Sequence, residues 1–276
     1  MVLSVNTNTP AMIALQNLAQ TNSDLDTVQN QINTGLAVSG PKDNAAVWAI
    51  AQNMRAQVGG YQAVQQSLSR GSSVADVAGA AGQSISDILV QIKQKVVAAT
   101  DVSLDTASRN ALNEDFQSLK NQITSIVQNA SFNGTNLLDG SATPGLQVLA
   151  DADAKHTLTI ASENLTLSGA VITLSSASSI TTVAGASQAL TQIATSLQNV
   201  NAALARLGSA QKKVEAHGTF VAKLIDSLNS GIGNLVDADL AQASAKLQAL
   251  QVKQQLGVQA IAIANSRPQI LLTLFR

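Results

Sequence analysis

Cysteine is absent from the 276 residues. That excludes disulfides and thiolate metal sites and leaves the redox compartment open. Charge is scarce as well. Asp, Glu, Lys and Arg make up 12% of the chain, about half the usual ~25%. The net charge is −1, and the basic residues are scattered without a block, so the electrostatic footprint of a nucleic-acid binder is missing. Aromatics amount to 2%. No apolar run approaches the ~18 residues of a membrane span, so membrane insertion is not expected. The opening MVLSVNTNTPAMIAL has neither a basic n-region nor the ~7–15-residue apolar core of a cleavable secretory signal.

Chemistry-bearing groups are equally thin. The chain has two histidines, His156 and His217, and neither has a second ligand at a recurrent metal spacing. Both read as packing or surface residues. HExxH and GxSxG are absent. Gly231-Ile232-Gly233 lacks the third glycine of a dinucleotide loop and reads as a linker between helices. Asp237 and Asp239 suit the first turn of a helix, where the dipole favours negative charge, better than they suit a metal. Asn129, Asn133 and Asn164 open glycosylation sequons by pattern, a number expected by chance in a chain this rich in Asn, Ser and Thr. An enzyme is not expected, nor is a cofactor.

What fills the chain is Gln, Asn, Ser, Thr and Ala, together with long apolar seams. Low charge lets like copies approach without much repulsion. From Leu190 a seam runs through Ile193, Leu197, Val200, Leu204, Leu207, Gln211, Val214, Gly218, Val221, Ile225 and Leu228 in alternating steps of three and four. That alternation is the signature of a supercoiled bundle. Val47, Met54, Tyr61, Leu68, Ala75, Gly82, Leu89 and Val96 stand seven apart, with companions Ile50, Gln57, Val64, Gly71, Ala78, Ile85, Ile92 and Ala99. They predict one helix of about 50 residues, roughly 75 Å long. Ser39-Gly40-Pro41 breaks the chain before it, and Asp43 places negative charge near its start. Leu112, Phe116, Leu119, Ile123, Ile126 and Ala130 mark a third helix, with Asn133-Gly134 as a helix-stop and turn signal.

Residues 139 to about 184 change to Gly, Ser and Thr. His156–Ile160, Leu165–Leu167 and Ala170–Leu174 read as hairpin strands. Two terminal helices remain. Leu15, Leu18, Leu25, Val28 and Ile32 define the first, started by Pro10. Leu240, Ala243, Leu247, Leu250, Gln254, Gly257, Ile261 and Ala264 define the last. The expected fold is mainly α, a long antiparallel coiled-coil or helical-bundle rod with a small β-hairpin region near 139–184. Residues 1–40 and 232–276 form a terminal-helix domain, and 41–231 form a long-helix core domain carrying the β insertion. The chain closes on SRPQILLTLFR, an apolar end that ordinarily needs something to pack against. The seams, the low charge and the apolar ends point to a subunit that associates side by side with its own copies. The residues expected to pack between copies are Leu15, Leu18, Leu25 and Ile32, then Leu240, Leu247, Leu250 and Ile261, and at the tail Leu271, Leu272, Leu274 and Phe275.

INTGLAVSGPKDNAAVWAIA, from Ile32 to Ala51, resembles the N-terminal signature of bacterial flagellins. VNTNTPAMIALQNL resembles the family's opening, and NASFNGTNLLDG contains its Phe-Asn-Gly-x-x-Leu-Leu run at Phe132–Leu138. DADLAQASAKLQALQVKQQLGVQAIAIANSRPQILLTLFR resembles the C-terminal signature, with Asp237, Asp239, Gln254, Gly257, Ala264, Asn265, Pro268 and Gln269 in register. The resemblance covers roughly 1–139 and 185–276 and is specific, because two long motifs stand at both ends in order. It implies a short flagellin, a homo-polymer forming the extracellular filament that drives swimming. It implies unfolded export through the flagellum's own type III apparatus, an export chaperone, and cap and junction proteins as partners. It implies terminal helices forming the inner tube, with the tail residues near the channel-facing layer. Two departures stand out. Gln91 occupies a place where many relatives carry the arginine of an immune-recognised patch, so receptor recognition is not expected. Pro41 replaces a small residue and stiffens the turn after the first helix. The alternatives are a hook–filament junction protein and a coiled-coil secreted scaffold.

Overall fold

A computed structural model describes residues 7–274, with side chains described up to residue 266. Five helices and four short strands follow in order: α1 (Thr9–Thr34), α2 (Ala45–Ala99), α3 (Thr106–Asn129), β1 (Ser131–Phe132), β2 (Thr135–Asn136), β3 (Leu146–Leu149), β4 (Thr157–Ile160), α4 (Val183–Val236) and α5 (Leu240–Leu274). The mainly α class expected from the seams is what the chain adopts. Two compact units are present. One comprises residues 1–56 and 227–276, the other residues 57–226.

The second unit holds the larger core. On α2 every seam position from Val64 to Ala99 is buried: Val64, Leu68, Gly71, Ala75, Ala78, Gly82, Ile85, Leu89, Ile92, Val96 and Ala99. Phe116, Ile123 and Val127 of α3, and Ile193, Val200, Leu207, Val214 and Val221 of α4, complete the same cluster. The stripe on α4 is wider than a two-per-heptad seam. Ala189, Ser196 and Ala203 are buried on one side of the central line, while Leu190, Leu197 and Leu204 are only half-buried on the other. Small residues let the neighbouring element come close on that side.

Several local expectations are corrected. Helix α3 ends earlier, at Asn129, and the Asn133-Gly134 turn is that of the β1–β2 hairpin. Both turn residues have positive φ, 50° and 78°, as a two-residue hairpin loop demands. Asp43 does stand just ahead of α2, near its start, but it does not cap it. Asn44 caps that helix by accepting from Val47 N at 3.1 Å. Asp43 instead accepts from Ser39 N, Ser39 Oγ and Gly40 N at 2.9, 2.9 and 3.0 Å. The Ser39 hydroxyl leads these bonds in holding its carboxyl below the ordinary value. Gly231-Ile232-Gly233 is not a linker, because α4 continues to Val236. Ile232 is buried and the side of Gly231 faces the Met54 side chain, so packing overrides the weak helix propensity of glycine.

Of the three expected strands only the first forms. Its partner is Leu146–Leu149, antiparallel with Val148 opposite Leu158. Leu165–Leu167 and Ala170–Leu174 reduce to one bridge, Leu167 to Ile172. Val171, Ile172 and Leu174 are all buried, which breaks the alternation of a one-faced strand. Helix side chains satisfy this segment's backbone instead. Thr173 N donates to Ser196 Oγ at 3.0 Å, Asn199 Nδ2 to Val171 O at 3.1 Å, and Lys120 Nζ to Ser176 O and Ser178 O at 2.7 and 2.9 Å. The Lys120 ammonium is nearly fully buried, and desolvation pulls its pKa below the usual lysine value.

Candidate assembly surface

In the first unit the two ends of the sequence lie side by side. Asn8 caps α1 by accepting from Ala11 N at 3.2 Å, and Pro10 stands in the first turn, where its missing N–H is not needed. Gly35 ends the helix at φ 72°, the left-handed C-terminal geometry that glycine takes without strain. Asp239 caps α5, accepting from Ala241 N and Gln242 N at 3.0 and 3.1 Å. Asp239 thus serves the backbone at a helix start. Ala37 N donates to Val236 O at 2.7 Å and Ala238 N to Gly35 O at 2.9 Å, tying the two corners together.

Between α1 and α5 lies a small core. Leu25, Val28, Ala243 and Leu250 are buried, with Ile32 and Leu247 packed on them. Gln254 Nε2 donates to Asn22 Oδ1 at 2.8 Å, and Asn8 Nδ2 to Ala264 O at 2.9 Å. Gly257 receives the Leu18 side chain. Leu18 and Ile261 are half-buried. Leu15 and Leu240 lie outside this contact, 62% and 49% exposed. The side chains of Leu271, Leu272 and Leu274, and all of Phe275, lie outside the described residues.

The seam pattern did not single out the opposite faces. Met12 and Ile13 on α1 and Val252, Leu256, Val258 and Ile263 on α5 are large, apolar and more than half exposed. The overlooked signal is a second apolar stripe on α5, Val252, Leu256 and Ile263, set apart from the one that faces α1, and an apolar stripe on a helix is ordinarily covered. Beside the pair runs a groove of about 500 Å³, whose lining includes Ile13, Asn17, Lys253, Leu256 and Gly257.

No group of three metal-ligating side chains occurs among the described residues. Both histidines hold the β3–β4 connection. The Nδ1 of His156 meets Asp151 Oδ2 at 2.5 Å, and the Nε2 of His217 meets Ala150 O at 2.7 Å. No described helix is long and apolar enough to cross a membrane.

Residues 5–143 match the family model of the bacterial flagellin N-terminal helical region, and residues 190–275 match that of the bacterial flagellin C-terminal helical region. Flagellin FljM of Caulobacter vibrioides is 51% identical over 273 residues, which are 99% of this chain and 98% of that protein. A flagellin of Brucella melitensis is 37% identical over 286 residues, covering 99% of each chain. A crystal structure of Bacillus cereus flagellin aligns with 56% of this chain and 88% of its own, at 24% identity and a TM-score of 0.48.

Proposed function

The chain belongs to the bacterial flagellin family, and from that premise we propose how its own residues serve the polymer. It is a structural subunit that self-polymerises into the extracellular flagellar filament used for swimming. In our reading the terminal segments 1–40 and 232–276 build the inner tube, and 41–231 form the surrounding layer. Leu15 and Leu240 pack between copies. Leu18, Leu25, Ile32, Leu247, Leu250 and Ile261 shape the pair that presents them, and Leu271, Leu272, Leu274 and Phe275 extend the apolar contact at the tail. The observation that carries this reading is the two-sided apolar character of α5, only one side of which α1 covers.

Export through the flagellar type III apparatus, guided by a chaperone and finished under a filament cap, completes the proposal, which assigns the chain no catalytic role. The test is sedimentation and electron microscopy of the purified chain beside a truncation lacking residues 270–276. Long uniform filaments are expected from the first and few from the second. Normal filaments from the truncation would refute the role of the tail, and short capped oligomers from the full chain would favour a junction protein.

A further inference from the structure

We propose that α1 of one copy docks antiparallel on α5 of the next, with Leu15 entering the groove at the level of Gly257 and Asp26 reaching Lys246. This rests on the polymer reading above and specifies which surfaces meet.

Charge is segregated between the two helices. The ionisable residues of α1 are Asp24 and Asp26, both acidic. Those of α5 are Lys246, Lys253 and Arg267, all basic. Although α1 and α5 lie together in one chain, neither Asp26 nor Lys246 makes an ion pair there among the described residues. Asp24 accepts from its helix neighbour Gln20 at 2.9 Å instead. The opposite charges therefore remain available to a second copy.

The apolar residues set the register. From Leu15 to Asp26 is a step of eleven residues, and so is the step from Lys246 to Gly257. Eleven residues make about three turns, roughly 16 Å, and return to within about 20° of the same face. On antiparallel helices, Leu15 at the level of Gly257 puts Asp26 at the level of Lys246. Lys246 stands two turns before Lys253, which lines the groove with Leu256. Copies pointing the same way along a polymer keep this orientation, because α1 then runs antiparallel to the next copy's α5 as it does to its own.

The surfaces are also different from each other. Leu15 is 62% exposed and is not among the groove's lining residues. A face that inserts and a groove that receives make a heterologous contact, the kind that propagates along a polymer instead of closing a dimer.

Because the chain has no cysteine, Asp26→Cys and Lys246→Cys each introduce a single thiol. Equal amounts of the two variants are copolymerised and treated with a short bifunctional maleimide. A cross-linked heterodimer is expected from the polymer, and none from the unpolymerised mixture. In parallel, Asp26→Lys and Lys246→Asp are each expected to raise the concentration needed for polymerisation at least about threefold at low ionic strength. The double exchange is expected to restore it. Filaments that form without the heterodimer, or single reversals that polymerise like the parent at low salt, overturn the docking and leave the polymer reading intact. A parent chain that forms no filaments overturns the polymer reading itself.

Discussion

Leu256 and Leu250 lie six residues apart on α5, yet they should report on different events. Leu256 is 58% exposed, while Leu250 is 7% exposed. Replacing Leu256 by Gln keeps a good helix former and removes an apolar surface that faces outward. In the isolated chain the change should be felt by no more than about 0.5 kcal/mol. If the outer face of α5 is an assembly surface, the exposed three-fifths of the side chain is covered in the polymer. Full burial of a leucine contributes ~1.5–3 kcal/mol, so that share contributes about 1–2 kcal/mol per subunit. At 1.4 kcal/mol per factor of ten, the polymerisation threshold rises about 5- to 30-fold. Leu250→Ala does the reverse. It opens the small core that α1 and α5 share and costs about 2–5 kcal/mol there, visible as lost helix protection in unpolymerised protein. Hydrogen exchange of the monomer and sedimentation of the polymer separate the two effects. If Leu256→Gln polymerises at the parent's concentration, the outer face of α5 is not an assembly surface.

Other perturbations test the second unit. A Cβ at position 71 would stand 2.4 Å from Val148 Cγ1, whereas one at position 208 meets nothing within 4 Å. Both sites are helical, so each alanine gains about 1 kcal/mol of propensity. Gly71→Ala also overpacks β3 against α2 by about 1–3 kcal/mol. Gly208→Ala should therefore raise the melting temperature and Gly71→Ala should not, a contrast that calorimetry reads directly. Lys120→Met removes a buried donor from Ser176 O and Ser178 O and should cost about 1–3 kcal/mol, with faster proteolysis between residues 164 and 182. Acid should act on the corners. Ser103, Ser108 and His156 lead the bonds that hold the carboxyls of Asp101, Asp105 and Asp151 below their ordinary value. A lowered folded pKa means that the stabilisation is complete above about pH 4 and is lost as pH falls through the folded value. Amide exchange at residues 101–108 and 151–156 should quicken below that pH while the α2 core stays protected. Unchanged exchange there would remove these carboxylates from the account.

How far the sequence could be read differs from element to element. Burial repeats with the helix, so α2 from Val64 to Ala99 and α5 from Ala243 to Ala264 could be phased position by position. The start of α2 could not. Ala51 and Val58 are buried where Ile50 and Gln57 were expected. Glycines misled at 231 and 233, where contact with Met54 and the Asp237 side chain outweighs their tendency to break a helix. The strand partner Leu146–Leu149 follows Gly145 and a proline-containing loop, a run too short to stand out. At the candidate surface the pattern placed Leu25 and Leu250 on the contact face. It gave no sign that Leu15 and Leu240 face away, since a seam fixes which residues point inward and says nothing of a second apolar stripe on the same helix. The hydrogen-bonding side chains Lys120, Ser196 and Asn199 were invisible for another reason. Their partners are backbone groups some 20 to 60 residues distant, and no local signal marks such a pair.

Asn8 bonds to Ala264, 256 residues further along, so α1 meets its companion only after the long segment between them has been synthesised. A ribosome that has made α1 has not yet made its companion. Short isolated helices are marginal in water, and synthesis runs from the N-terminus. The paired surface therefore comes into being only after α5 has been made. Half-made polypeptides crowded on one messenger have no matching face to offer each other, and the geometry of the fold itself acts as a clock against premature clumping.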